Sequence, residues 1–354
     1  MKGNNKFISK ILFKLLLLRG GCSDYTMMKA IQKDKTEVVK LLLQDKSVAP
    51  SAYVIGKALE KGNVEILKLL LQDKRVDPSA EDNYAIRWAS ANGLAEVVKL
   101  LLKDVRVDPS SVDNCAIKWA SENGHTELVK LLLTDKRVDP SAEDNYAIRC
   151  ASARGHVEVV NLLLKDERVD PSADNNYAIK EASYWGYVEI VKLLLKDKRV
   201  DPSAEDNYAI RVASKEGHAE VVKLLLSDKR VDPSAVYNSA IICSSRFGYT
   251  EVVKLLLEDG RVDPSAEDNS AIRCSSRFGH AEVVKLLLQD KRVNPSADYN
   301  DAIREAAKYG HAEVVNLLLS DERVDVDKAI ELILYCPHRE VKKIISKYRK
   351  SESN

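Results

Sequence analysis

Apolar and polar positions along the chain follow a pattern that returns every 31 residues. Proline marks it: Pro78, Pro109, Pro140, Pro171, Pro202, Pro233, Pro264 and Pro295 stand 31 residues apart, and Pro50 precedes them by 28. A strict period of that length means a stacked repeat. With Tyr84 as offset 0, one unit reads YAIRWASANGLAEVVKLLLKDVRVDPSSVDN. Offsets 1, 2, 5, 6 and 9 (Ala85, Ile86, Ala89, Ser90, Gly93) are small or apolar at helical spacing, which predicts a first helix with one thin, closely buried face that ends at the glycine. EVVKLLL then predicts a second helix. Glu96 opens it at the positive end of the helix dipole, and its apolar positions lie on more than one side, so it must pack on its partner and on a neighbouring unit. RVDPSAEDN holds the proline and the Asx-rich turn residues, and predicts a loop or short hairpin. An Asn before offset 0 in eight units, from Asn83 to Asn300, predicts a side-chain N-cap on the first helix.

The frame starts at Tyr25, Tyr53, Tyr84, Cys115, Tyr146, Tyr177, Tyr208, Ser239, Ser270, Asp301 and Lys328, which divides the chain into an N-terminal half-unit cap (1–24), an array of ten units (25–327) and a C-terminal capping unit with a basic tail (328–354). FKLLLL at 13–18 matches VKLLL at 39–43, so it is expected to be the outer helix of the half unit rather than a signal peptide, whose apolar run Lys10 and Lys14 would break. At the far end Pro337 replaces the glycine, and the unit closes in polar KYRKSESN. A polar terminal unit is what a stacked array needs for solubility.

ASANGLAEVVKLLL at 89–102, ASENGHTELVKLLL at 120–133 and their copies resemble the AAxxGHxEVVxLLL core of the ankyrin repeat family, in register over roughly residues 22–345. Two departures stand out. YAIR replaces the family's TPLH start, and the period is 31 rather than about 33, so a shorter hairpin and a different helix start are expected. The RVDPSA and DNYAIR wording is similar to ankyrin arrays of giant viruses of amoebae and of protists. The resemblance implies an all-α, ankyrin-type solenoid of helix-turn-helix units joined by short hairpin-like loops, roughly 100 Å long at 9–10 Å per unit. It also implies a non-enzymatic interaction scaffold that takes a partner protein or peptide on its concave face.

Charge adds little at the level of the whole chain: 55 Lys and Arg against 54 Asp and Glu leave a net charge of +1. The two ends together carry +9, so the middle is mildly acidic at −8, and nucleic acid is not an expected partner. The six cysteines (Cys22, Cys115, Cys150, Cys243, Cys274, Cys336) form no CxxC, and no N-x-Ser/Thr site is present, which fits a reducing intracellular compartment, the cytoplasm or a host cytoplasm. No membrane span is expected, and a monomer is.

Catalytic chemistry finds no foothold in this pattern. All six histidines (His125, His156, His218, His280, His311, His338) fall at offset 10, a position the repeat explains, and successive copies about 9–10 Å apart are too far to share a metal. The same spacing rules against a Cys243–Cys274 disulfide. The acids of the AEDN turns sit in polar surroundings with nothing apolar to raise a pKa, and no phosphate loop or EF-hand appears. Neither an enzyme nor a cofactor is expected. Positions where the units differ are more informative. Offsets 4, 7 and 8 lie opposite the buried face and carry Trp88, Trp119, Tyr184, Trp185, Arg246, Phe247, Arg277, Phe278, Lys308 and Tyr309, a basic and aromatic ladder expected to bind the partner. Packing of these rings against adjacent units is the competing reading. Arg87, Lys118, Arg149, Lys180, Arg211, Arg273 and Arg304 at offset 3 form a second basic row expected to bridge to the acidic turns. Two rival functions remain open. Nucleic acid could lie on the basic and aromatic rows, and an adaptor could recruit partners to a ubiquitin ligase, although residues 1–24 and 326–354 are too short for an added F-box-like domain.

Overall fold

The computed structural model describes residues 23–351 apart from 49 and 52, so the expected half unit at 13–18 lies outside the described residues. Among the described residues there are 22 helices and no strand, and the helices run in short pairs. Two compact units divide the chain at Asp170 and Pro171. The first holds five pairs, among them Ala80–Ala91 with Ala95–Leu101 and Ser111–Glu122 with Thr126–Leu133. The second holds six, from Ala173–Tyr184 with Val188–Leu195 to the final Val326–Ile333 with Arg339–Ser351. Within each compact unit, first helices pack on first helices of the next repeat and second helices on second helices, as in a solenoid.

Offsets 1, 2, 5 and 6 are buried as read, as Ala85, Ile86, Ala89 and Ser90 show, while the offset-9 glycine is half-buried. In the repeat from Tyr146, Ala147, Ile148 and Ala151 of the first helix meet Val159, Val160 and Leu163 of the second, with Val169 of the following turn sealing the layer. Each such aliphatic side chain removed from water contributes about 1.5–3 kcal/mol. Ser90, Ser121, Ser152, Ser183 and Ser214 at offset 6 are also fully buried, and their hydroxyls have no hydrogen-bond partner.

The joining segment is the expected short loop, with no strand among the described residues. Asp77 accepts from the N–H and the hydroxyl of Ser79, closing a tight turn around Pro78. Glu81, Asp82 and Asn83 then all take left-handed backbone angles (φ 54°, 52° and 60°). The Asn83 N–H donates to the Ser79 carbonyl at 2.9 Å, so these residues form one turn of left-handed helix before the right-handed helix begins. The same three positions do this in eight repeats. Outside glycine such a conformation costs about 1–2 kcal/mol per residue, so other contacts must hold it.

Two kinds of contact do. Arg87 Nε donates to the Asp82 carbonyl at 2.9 Å and Nη2 to that of Glu81 at 3.1 Å, an arrangement that Arg149 and Arg211 repeat. The offset-3 row thus reaches the turns, Arg87, Arg149 and Arg211 through backbone carbonyls and Lys118, Lys180 and Arg273 through carboxylates: Lys118 pairs with Glu143 at 2.6 Å, Lys180 pairs with Glu205 and Arg273 pairs with Asp298 at 2.9 Å, whereas Arg304 pairs with Asp301 of its own helix. The second contact corrects the expected N-cap. Asn300 Oδ1 has no hydrogen-bond partner among the described residues, but Asn83 Oδ1 accepts the Asp108 N–H of the next repeat at 2.7 Å, and the copies from Asn114 to Asn269 behave alike, Asn207 accepting from Asp232. These asparagines clamp neighbouring repeats together; Asn63 and Asp325 are the side chains that cap helix starts, through the N–H groups of Ile66 and Lys328.

A further clamp went unread in the sequence. In each KRVDP stretch the arginine folds back on the aspartate two residues before it: Arg230 donates from Nε at 3.0 Å and Nη2 at 2.7 Å to Asp228, while Nη1 reaches the Val200 carbonyl of the preceding repeat at 2.6 Å. The guanidinium's hydrogen bond holds the Asp228 carboxyl below the usual carboxylate range, and Asp104, Asp135, Asp259 and Asp290 are held low by the same cause.

Candidate partner-binding surface

The histidines have structural work. Gly186 carries a positive φ of 76°, and a Cβ there would come within 2.6 Å of the His218 ring from the next repeat. Nε2 of His218 donates to the Tyr184 carbonyl at 2.9 Å. His125 and His156 make the corresponding bonds to Ala91 and Glu122, and His280 and His311 to Arg246 and Arg277. At Gly93, Gly124, Gly186, Gly217, Gly248, Gly279 and Gly310 a side chain at offset 9 would collide with the next repeat's ring, whereas Gly62 has no such neighbour. No group of three or more His, Cys, Asp or Glu side chains gathers for a metal among the described residues.

These bonds fix the end of each first helix, and beside them stands the ladder. Phe247, Phe278 and Tyr309 are 46%, 44% and 44% exposed, too wet for core packing and too large to be incidental. The Arg246 guanidinium lies 5.9 Å from the Phe247 ring centroid and 5.5 Å from that of Phe278. Arg277 repeats this with Phe278 at 5.9 Å and Tyr309 at 5.6 Å, and Lys308 sits 5.3 Å from Tyr309. Cations and rings therefore alternate across three repeats, each arginine held between its own ring and the next one. Phe278 and Tyr309 also stack on His280 and His311 with centroids 6.4 Å apart, which roots the ladder in the glycine–histidine joints.

The other residues read from the sequence as part of the ladder stand apart from this cluster. Tyr184 and Trp185 form an edge-to-face pair with centroids 4.9 Å apart, and Trp185 Nε1 donates to Glu181 at 3.2 Å. Trp185 is exposed and Tyr184 half-buried. Trp88 and Trp119 belong to the first compact unit and are half-buried rather than outward; among the described residues no cation or ring stacks on either. Two features of the surface were missed. Val236 and Tyr237, and Tyr299 two repeats on, occupy the left-handed turn where other repeats have Glu and Asp, and all three are exposed. The departure from EDN at 236–238 and 298–300 was the signal that could have found them. Cys243 and Cys274 are half-buried free thiols on the same helices, and burial pushes the Cys243 thiol up.

Helix pairs stacked in register, with invariant joints inside and variable residues along one exposed stripe, define a helical-repeat scaffold. The match to known families makes it specific: the family of ankyrin repeats (3 copies) matches at residues 27–113, 55–144, 117–206, 182–268, 210–300 and 240–330. The chain belongs to the ankyrin repeat family, whose repeats are protein-interaction modules. No curated protein matches it. No helix among the described residues is long and apolar enough to cross a membrane.

Proposed function

We propose that the protein is a non-enzymatic scaffold that binds a partner protein or peptide along the concave face formed by its first helices, with Arg246, Phe247, Arg277, Phe278, Lys308 and Tyr309 as the anchors. The alternation of exposed rings and cations across three repeats carries this reading. Rings fixed by a stacked cation lose little freedom on binding, and Arg and aromatic side chains supply most interface anchors. Change confined to the stripe, while EVVKLLL beneath it hardly varies, also favours selection for a partner over selection for packing. Tyr184 and Trp185 would add contacts in the same compact unit, and Trp88 and Trp119 would add contacts on the other unit. Reduced cysteines and the absence of an N-x-Ser/Thr site favour an intracellular setting, with the cytoplasm the natural place for a virus-like or protist-like array.

The test is Phe247→Ala with Phe278→Ala in the full chain, assayed against a partner captured from lysate. Binding should weaken by about 2 kcal/mol or more while the unfolding temperature moves little. A double mutant that melts several degrees earlier and binds the captured partner unchanged would make the ladder a packing feature.

A further inference from the structure

Arg277 displays what the cations of this stripe are built to hold. Besides its two rings, its Nε lies 3.5 Å from the carboxylate of Glu305, which comes from offset 4 of the following repeat. Lys308 shares that carboxylate at 3.4 Å. Arg246, one repeat earlier, has the same pair of rings but lacks the acid, because offset 4 of its following repeat is Cys274. Among the described residues Arg246 makes no ion pair. Lys215 stands one repeat earlier again at the same offset, and there too the following repeat offers a thiol, Cys243, instead of a carboxylate. Lys215 and Arg246 both lie close enough to Cys243 to act on its titration. Among the described residues Lys215 pairs only with the adjacent Glu216, at 3.5 Å.

We propose that this surface binds an acidic, proline-containing peptide in the polyproline II conformation, with carboxylates three residues apart seated beside Lys215 and Arg246, in the places that Glu305 fills beside Arg277. The inference rests on the reading of the ladder as a binding surface. Repeats stack at about 9–10 Å, and a polyproline II strand rises about 3.1 Å per residue with three residues per turn. Side chains at i and i+3 therefore point the same way about 9.3 Å apart, in step with the cations. A β-strand puts i and i+3 on opposite faces and cannot use them both. The exposed rings of Phe247 and Phe278, on which the Arg246 guanidinium stacks, are the aromatic platforms on which proline rings pack. Glu216 and Glu305 interrupt the positive stripe, which suits spaced carboxylates better than the continuous charge of a nucleic acid.

Fluorescence anisotropy on the full chain tests this, with a labelled peptide of four Glu-Ala-Pro repeats as the probe. The comparisons are the Gln-Ala-Pro version, a Glu-Ala-Ala-Pro version with its acids four apart, and an oligothymidylate of matched length, all at about 0.15 M salt. The Glu-Ala-Pro peptide should bind at least about tenfold tighter than each of the three. Cys274→Glu, which supplies Arg246 with the acid Arg277 already has, should weaken that binding by a similar factor, and so should Arg246→Gln, with melting temperatures within about 2 °C of the parent. If Cys274→Glu does not fold, Arg246→Gln decides alone. Equal binding of the glutamine peptide, insensitivity to Arg246→Gln, or tighter binding of the oligonucleotide overturns the proposal. If no acidic peptide binds but the Phe247/Phe278 double mutant still loses its captured partner, the partner chemistry is wrong and the surface stands; if that double mutant also binds normally, both fall.

Discussion

Asn207 is the most informative single position in the joints. Its side chain accepts the Asp232 N–H of the next repeat at 2.7 Å, and its own backbone is the last of three left-handed residues, at φ 59° and ψ 42°. Asn207→Ala does two things at once. It leaves a part-buried N–H without a partner, at about 1–3 kcal/mol, and it puts a Cβ without a compensating polar group into the left-handed region, at about 1 kcal/mol or more. The expected loss is about 2–4 kcal/mol. Asn207→Gly separates the terms, since glycine accepts the backbone angles but cannot replace the acceptor, and should be better than alanine by about 1 kcal/mol. Urea unfolding of the three proteins gives the free energies, and hydrogen exchange at the Asp232 amide reports the joint itself. A loss below about 0.5 kcal/mol for alanine, or unchanged protection at Asp232, would refute the inter-repeat clamp. An N-cap role would instead cost about 1 kcal/mol and expose amides of the same helix.

Other consequences can be checked separately. Ser214→Ala removes a fully buried hydroxyl that has no partner and leaves the alanine found at the equivalent Ala307, so it should raise stability by up to about 1 kcal/mol; a loss on thermal unfolding would mean the hydroxyl is satisfied in solution. The Asp–Arg clamps set an acid limit. Each lowered carboxyl contributes stability that is complete above the unfolded value near 3.9 and is lost as pH falls through the still lower folded value, so stability should decline from about pH 5 downwards. Asp228→Asn should make that acid decline shallower in a pH series of urea titrations, and an unchanged slope would contradict the clamp.

The repeat, the helix pairs and the buried offsets were legible because each is a local pattern: Ala85, Ile86 and Ala89 recur at helical spacing, and an apolar pair such as Val97 and Val98 recurs near the start of the second helix. The joints were not, since their partners lie one repeat away. An Asn before an apolar helix carries the same signature whether it caps that helix or stands left-handed and clamps the next repeat, and Asn83 does the second. The glycine and histidine at offsets 9 and 10 looked like neighbours in one repeat, whereas Gly186 meets His218, a full unit on. Asp228 and Arg230 were passed over because a two-residue spacing suggests no pairing until a turn folds one onto the other. In the ladder, the repetition of Arg246–Phe247 in Arg277–Phe278 was visible. The sandwiching of each guanidinium between rings of successive repeats depends on how the repeats stack, which no single unit encodes.

Hydrogen exchange of the full chain, free and bound to its captured partner, tests the central claim most directly. Binding through the first helices of the ladder should slow exchange at the exposed ends of helices 235–247, 266–278 and 297–309 and in the turns that precede them. The second helices 250–258, 281–289 and 312–319 should exchange as in the free protein. Protection confined to those second helices would contradict the account and move the partner to the opposite face.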